Sequence, residues 1–301
     1  MSTTPIADYA LLSDCHSAAL VSRAGSVDWL CFPRFDSPAV FARLLDDEGG
    51  HWSIRPTGTS EVSRRYVDGS LVLETRFETP SGVVLLTDLL AVGENERGHD
   101  LGREAPHALL RRVRCESGRV EMEAEFSPRA EYGVVRPLLL EEPGGILARG
   151  GATLLRLSST MHMEIADGVA GARFTVEEGD ELDFALQFGA VGEASPAHWD
   201  DADIEHAADE TLRAWSSWAE MHQSYKGPWA ELVHHSGRVL QGLTYYPTGA
   251  MIAAATTSLP EVVAERATGT TASAGYATRA SPSTRSGSPP ARMRRRNSSR
   301  S

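Results

Sequence analysis

The chain has 301 residues, 41% of them hydrophobic and 23% charged, a balance that suits one large or two ordinary globular domains. Its formal net charge of −12 argues against nucleic acid as a partner. No run of about 18 apolar residues occurs, so no membrane-spanning helix and no membrane partner are expected.

Up to about residue 191 the pattern is that of β-strands. Residues 17–22 (SAALVS) and 26–32 (SVDWLCF) flank Arg23-Ala24-Gly25, a short connection that glycine can turn. Residues 37–46 (SPAVFARLLD) are read as a short helix, with Ser37 as N-cap and Pro38 at the first helical position. Residues 71–79 and 83–92 form strands about a Pro80-Ser81-Gly82 turn. Residues 109–117 and 119–128 are read as a further hairpin turning at Gly118. In its second arm Val120, Met122, Ala124 and Phe126 face one way and Glu121, Glu123 and Glu125 the other, as in a half-buried antiparallel strand. Strands follow near residues 145–149, 153–159, 161–167, 172–178 and 180–191. Many short strands at this spacing indicate a sandwich or barrel.

Beyond Val191 the period becomes helical. Residues 201–222 place Ile204, Ala208, Leu212, Trp215 and Trp218 on one stripe, and Asp200, Asp201 and Asp203 supply the acids that favour a helix N-terminus. Gly227-Pro228 interrupts, and residues 229–246 form a second amphipathic helix ended by Pro247-Thr248-Gly249. Residues 250–263 are a small-residue apolar segment expected to lie inside something larger.

The texture then breaks. Residues 264–301 hold eight Arg and one acid, and no Leu, Ile, Val, Phe or Trp. This segment has almost nothing to bury, so a disordered tail is expected. The three cysteines, Cys15, Cys31 and Cys115, are odd in number and widely spaced, with no CxxC. They are expected to be buried free thiols of a cytoplasmic protein, and no metal or other cofactor is expected. The N-terminus lacks a basic stretch followed by an apolar run, so no signal peptide is read there.

Two stretches carry a resemblance. Residues 6–46 (IADYALLSDCHSAALVSRAGSVDWLCFPRFDSPAVFARLLD) and 243–261 (LTYYPTGAMIAAATTSLPE) are similar to bacterial glycoside hydrolases of family 15, the glucoamylase and trehalase-like group. The resemblance implies an N-terminal β-sandwich over residues 1–195, a linker helix over 196–226, and the start of an (α/α)6 catalytic barrel over 227–263. It also implies an α-glucosidic sugar as substrate of the full-length parent, in carbohydrate metabolism. In that group SLPE is followed by a motif of the form RNWDYR-x-x-W-x-RDA, which carries sugar-binding side chains. Here the chain reads ERATGTTASAGYATRAS instead. Codons compatible with residues from Ala267 onward, read two bases later, spell NWDYRFGWVRDASF. Thr270 and Thr271 must supply -AC, and Gly269 and Gly275 -GG, which are the bases that Asp, Tyr and the two Trp require. Residues 264–301 are therefore expected to be an out-of-frame tail on a truncated barrel.

The group's reaction is inverting hydrolysis by two barrel carboxylates. Both would lie beyond the break, so no residue of this chain is assigned a catalytic role, and the polypeptide is expected to be inactive. On the sandwich, the loop 28–38 (DWLCFPRFDSP) is the candidate substrate-binding feature. Trp29 offers a stacking surface, and Arg34 and Asp36 offer polar contacts to hydroxyls. The plainer reading of the loop is a buried domain contact. A stand-alone carbohydrate-binding or structural β-sandwich module is the alternative to a truncated hydrolase. Glu121, Glu123 and Glu125 are read as a solvated face, and neither His234-His235 nor Met161-His162-Met163 as a metal site.

Overall fold

The structure is a computed structural model in which residues 4–256 are described. The segment 264–301 and the frame reading attached to it lie outside the described residues.

Fifteen strands form one continuous antiparallel sheet folded into two facing layers. The first layer contains β1 (Tyr9–Ser13), β2 (Ala18–Ser22), β3 (Ser26–Cys31), β4 (Ala39–Ala42) and β5 (His51–Pro56). The second begins with β6 (Glu61–Tyr66), β7 (Leu73–Thr79) and β8 (Gly82–Leu90). β9 (Ala108–Ser127) belongs to both. β10 (Leu138–Glu142), β11 (Gly145–Gly150) and β12 (Thr153–Ser159) return to the second layer, β13 (Glu164–Ala166) and β14 (Val169–Glu177) to the first, and β15 (Glu181–Ala190) to the second. The first layer runs β1-β2-β3-β5-β9-β14-β13, with β4 also paired to β3; the second runs β6-β7-β8-β9-β15-β12-β11-β10.

The hairpin expected at Gly118 is in fact one strand of 20 residues. Its first half pairs with β8 and β15, its second with β5 and β14. At the crossing Gly118 has φ +73°, and a Cβ there would collide with the Ser81 carbonyl. The chain kinks without reversing, because Ser81 accepts from the Arg119 amide (3.0 Å) and Gly118 from the Glu178 amide (3.0 Å). Strands that change sheets at a bend are how sandwiches make corners. The alternation beyond Gly118 holds: Val120, Met122, Ala124 and Phe126 are buried.

The helix expected over residues 37–46 is also corrected. Ala39–Ala42 is a strand, β4, with Leu30 facing Phe41 and Trp29 facing Ala42. All four residues are buried, Phe41 against Phe126 in the sandwich core and Ala39 and Ala42 against Trp29 on the other side. Burial on both faces removes the alternation that marks a strand. Ser37 caps no helix; its hydroxyl accepts from the Arg34 amide (3.2 Å). The strand expected from residue 161 begins only at Glu164.

The core between the layers centres on Trp52 of β5, edge-to-face with Phe126 (6.0 Å) and with Phe184 of the opposite layer (6.2 Å). Helix α1 (Asp201–His222) lies across the outer face of the second layer, as its pattern predicts. Ile204 and Ala208 pack on Leu89, Leu110 and Ala185; Trp215 and Trp218 pack on Leu71, Val92 and Leu101. Asp200 and Asp203 close a reciprocal capping box at its start. Helix α2 (Ala230–Gly242) is followed by a small hairpin, β16 (Thr244–Tyr245) and β17 (Ala250–Met251), across the Pro247-Thr248-Gly249 turn. Leu232, Val233 and Leu240 of α2 are exposed. Among the described residues no helix is long and apolar enough to cross a membrane.

Candidate functional site

The loop after β3 joins three turns at one end of the sandwich. Phe35 is buried, and its amide donates to the His16 carbonyl (2.7 Å). His16 is fixed in turn: its ring nitrogen lies 2.7 Å from the Gly102 carbonyl, and its amide donates to buried Asp14 (2.8 Å). The His16 ring packs against His107 (5.5 Å) and Tyr245 (5.4 Å).

This end is a platform for residues 241–255. Ser13 donates to the Gly242 carbonyl (2.6 Å), and the Tyr246 amide donates to the Cys15 carbonyl (2.9 Å). Gly242 is required by closeness: an added Cβ would stand 2.6 Å from Leu71 and 3.2 Å from Ser13.

Of the three candidate residues, Trp29 and Arg34 touch this segment, and Asp36 is joined to it through Arg34. Trp29 is fully buried, tilted against Tyr132 (6.2 Å), and its indole N–H donates to the Ala255 carbonyl (3.0 Å). It therefore presents no open stacking face here. Arg34 and Asp36 are open to solvent, 52% and 69% exposed, and paired in a two-pronged contact of 2.9 and 2.8 Å. Hydrogen bonding to Asp36, and its charge, raise the Arg34 pKa further. The guanidinium lies 5.4 Å from the Tyr245 ring centre. An exposed cation paired with an exposed anion thus lies over the ring of Tyr245, in the segment that follows α2. Sequence reasoning missed Tyr245 and Ala255, the two partners that complete the arrangement, because a contact between residues more than 200 positions apart leaves no local pattern. All three cysteines are free and buried, and burial pushes the Cys31 thiol up to about 12.

These features define a class: a two-layer β-sandwich domain that carries one helix on its flank and offers its end loops to a helical segment. The family described as trehalase-like, N-terminal, matches residues 1–210. The chain is 38% identical over 281 residues to a trehalase of Mycobacterium tuberculosis, covering 85% of this chain and 40% of that protein. It is 38% identical over 278 residues to a trehalase of Mycolicibacterium smegmatis, covering 85% and 41%. With Trehalase 1 of Sulfolobus acidocaldarius it shares 32% over 252 residues, covering 83% and 39%. The chain belongs to the trehalase-like N-terminal family. It spans about two fifths of the length of these curated relatives.

Proposed function

We propose that residues 1–195 are the N-terminal β domain of a trehalase-like glycoside hydrolase of family 15, that 196–226 are its linker, and that 227–263 open its catalytic barrel. The whole protein would hydrolyse an α-glucosidic sugar with inversion, one carboxylic acid protonating the leaving oxygen and a carboxylate about 6.5–9.5 Å away activating water. The observation that carries this reading is the likeness to trehalases across 85% of the chain, including the helical segment beyond the sandwich. The 301-residue polypeptide itself is assigned no turnover, because the carboxylate pair belongs to the barrel and residues 264–301 read as out of frame. Its setting is the cytoplasm, consistent with three reduced, buried thiols.

In the whole protein Arg34 and Asp36 would reach the barrel mouth and contact sugar hydroxyls, with Trp29 supporting the loop from beneath. The exposure of the pair beside Tyr245 supports this role. The test is a gene whose reading frame is restored from residue 264 and extended to the length of the relatives. That chain should release glucose from trehalose, and proton NMR before mutarotation should show α- and β-glucose formed in equal amounts, where retention would give α-glucose alone. Arg34→Ala in it should raise KM about tenfold or more with the fold intact. An open frame that encodes no barrel, or a restored chain without activity, would overturn the reading.

A further inference from the structure

A cavity of about 350 Å³ opens on the outer face of the first layer, walled by residues 43–47. Its floor is built from outward-facing positions of adjacent strands: Tyr9, Ser26, Asp28, His51 and Ser53. Asp28 sits where β2 and β3 lose register, since Val21 faces Val27 while Leu20 faces Trp29. Asp28 is thus the extra residue of a β-bulge, a device that re-aims a side chain. A carboxylate inside an otherwise apolar strand is costly and contributes nothing to the core beneath it.

Ser26, Asp28, His51 and Ser53 are buried, Arg43 is half-buried, and Asp46, Asp47, Arg55 and Glu125 at the rim are exposed. Asp28 is 4% exposed and accepts from Tyr9 (2.9 Å) and Ser26 (2.5 Å). Of the two guanidinium groups whose charge reaches it, Arg43 and Arg111, Arg43 stands 3.8 Å from its carboxylate and 3.5 Å from the Ser26 hydroxyl, so it makes no close hydrogen bond to either. His51 is 6% exposed, with Nε2 3.1 Å from Glu125. Burial raises the Asp28 carboxyl and, with Arg43 and Arg55 nearby, lowers His51 to about 3, so the imidazole beside Glu125 is neutral. Donors (Arg43, Tyr9, serine hydroxyls) and acceptors (Asp28, Glu125) therefore ring one small space. The carboxylates Asp28, Asp46, Asp47 and Glu125 outnumber Arg43 and Arg55, which disfavours an anion. The volume is at the small end of ligand pockets, about 300–1,000 Å³.

We propose that this cavity binds a neutral polyhydroxylated ligand of monosaccharide size, with Arg43 donating to, and Asp28 accepting from, neighbouring hydroxyls. The site is separate from the Arg34–Asp36 pair and needs no turnover, so it stands or falls independently of the hydrolase reading.

The 301-residue chain is titrated with glucose, with trehalose and, separately, with inorganic phosphate, by amide NMR and calorimetry. Saturable millimolar binding of a sugar is expected, with shifts concentrated at Ser26, Asp28, Arg43 and His51. Arg43→Ala, which removes no close contact, should weaken binding about tenfold, while Arg76→Ala, on the second layer, should leave it unchanged. Absence of saturable sugar binding overturns the proposal. So does displacement of sugar by phosphate, or a shift pattern centred on Arg34 and Tyr245. Should Arg43→Ala fail to fold, the wild-type shift map decides alone.

Discussion

Arg111 and Asp88 form an ion pair 2.8 Å long on neighbouring strands β9 and β8, with neither side chain exposed to solvent. The other guanidinium nitrogens donate across the sandwich, to the carbonyls of Trp52 (2.6 Å) and Gly25 (2.7 Å). The guanidinium also lies 5.0 Å from the centre of the Trp52 ring. One side chain therefore joins the two layers and the turn between β2 and β3. Burial raises the Asp88 carboxyl, and Arg111 is what draws it back. Arg111→Met should cost about 3–5 kcal/mol, because it strands a buried carboxylate and two carbonyls. The double variant Arg111→Met/Asp88→Leu should lose less than the single one. Urea unfolding of the four proteins of this cycle measures both, and equal or additive losses would refute the coupling.

His51 makes stability depend on pH. Burial lowers its pKa from 6.5 to about 3, with Arg43, Arg55, Arg129 and Arg111 adding to the effect, even though Glu125 lies 3.1 Å from its Nε2. Between those values the unfolded chain binds a proton that the folded chain does not. Stability should therefore be full above pH 6.5 and fall as pH drops toward 3, with a slope approaching about 1.4 kcal/mol per unit. His51→Gln should flatten this limb in chemical denaturation at pH 7, 6, 5 and 4.

Glu210 anchors α1 to the loop after β8. It accepts from Arg213 (2.7 Å), the Asn95 amide (2.9 Å) and Arg97 (3.1 Å), which hold it down at about 2. A lowered carboxylate contributes stability above its ordinary value of 4.5 that is lost as pH falls toward 2. Glu210→Gln should destabilise the fold at pH 7 and remove this part of the acid transition. Hydrogen exchange should show faster opening at residues 93–104 before the sandwich core.

Gly25 turns β2 into β3 with φ +72°, and an added Cβ would stand 2.5 Å from the Ile54 carbonyl. Its own carbonyl receives Arg111 and the Ile54 amide (3.0 Å). Gly25→Ala combines backbone strain with a clash and should cost about 1–3 kcal/mol in thermal or urea unfolding.

The sequence made α1 legible to the residue, because its stripe, its acids and the Gly227-Pro228 break all agree. Strands with one solvated face, such as the second half of β9, were equally readable from Val120 to Phe126. Two errors have separate causes. At β4 both faces are buried, so alternation vanishes and Ser37-Pro38 mimics a helix start. At Gly118 the same residue serves a reversal or a kink, and only the pairing of β8 and β14 decides between them. At the site, Arg34 and Asp36 were readable as an open polar pair. Burial of the loop was the plainer reading for Trp29, but its partner Ala255 was not readable, because it comes from the far end of the chain. The Asp28 cavity had a faint signal, a carboxylate within SVDWLCF, but its partners Arg43 and His51 come from other strands and loops.

The most direct test of the central claim is glucose release from trehalose by the purified 301-residue chain, beside the frame-restored, full-length protein. The β domain with its linker should give none above buffer, while the restored protein turns trehalose over. Turnover by the 301-residue chain itself, surviving repurification and proportional to its concentration, would contradict the assignment of chemistry to the barrel.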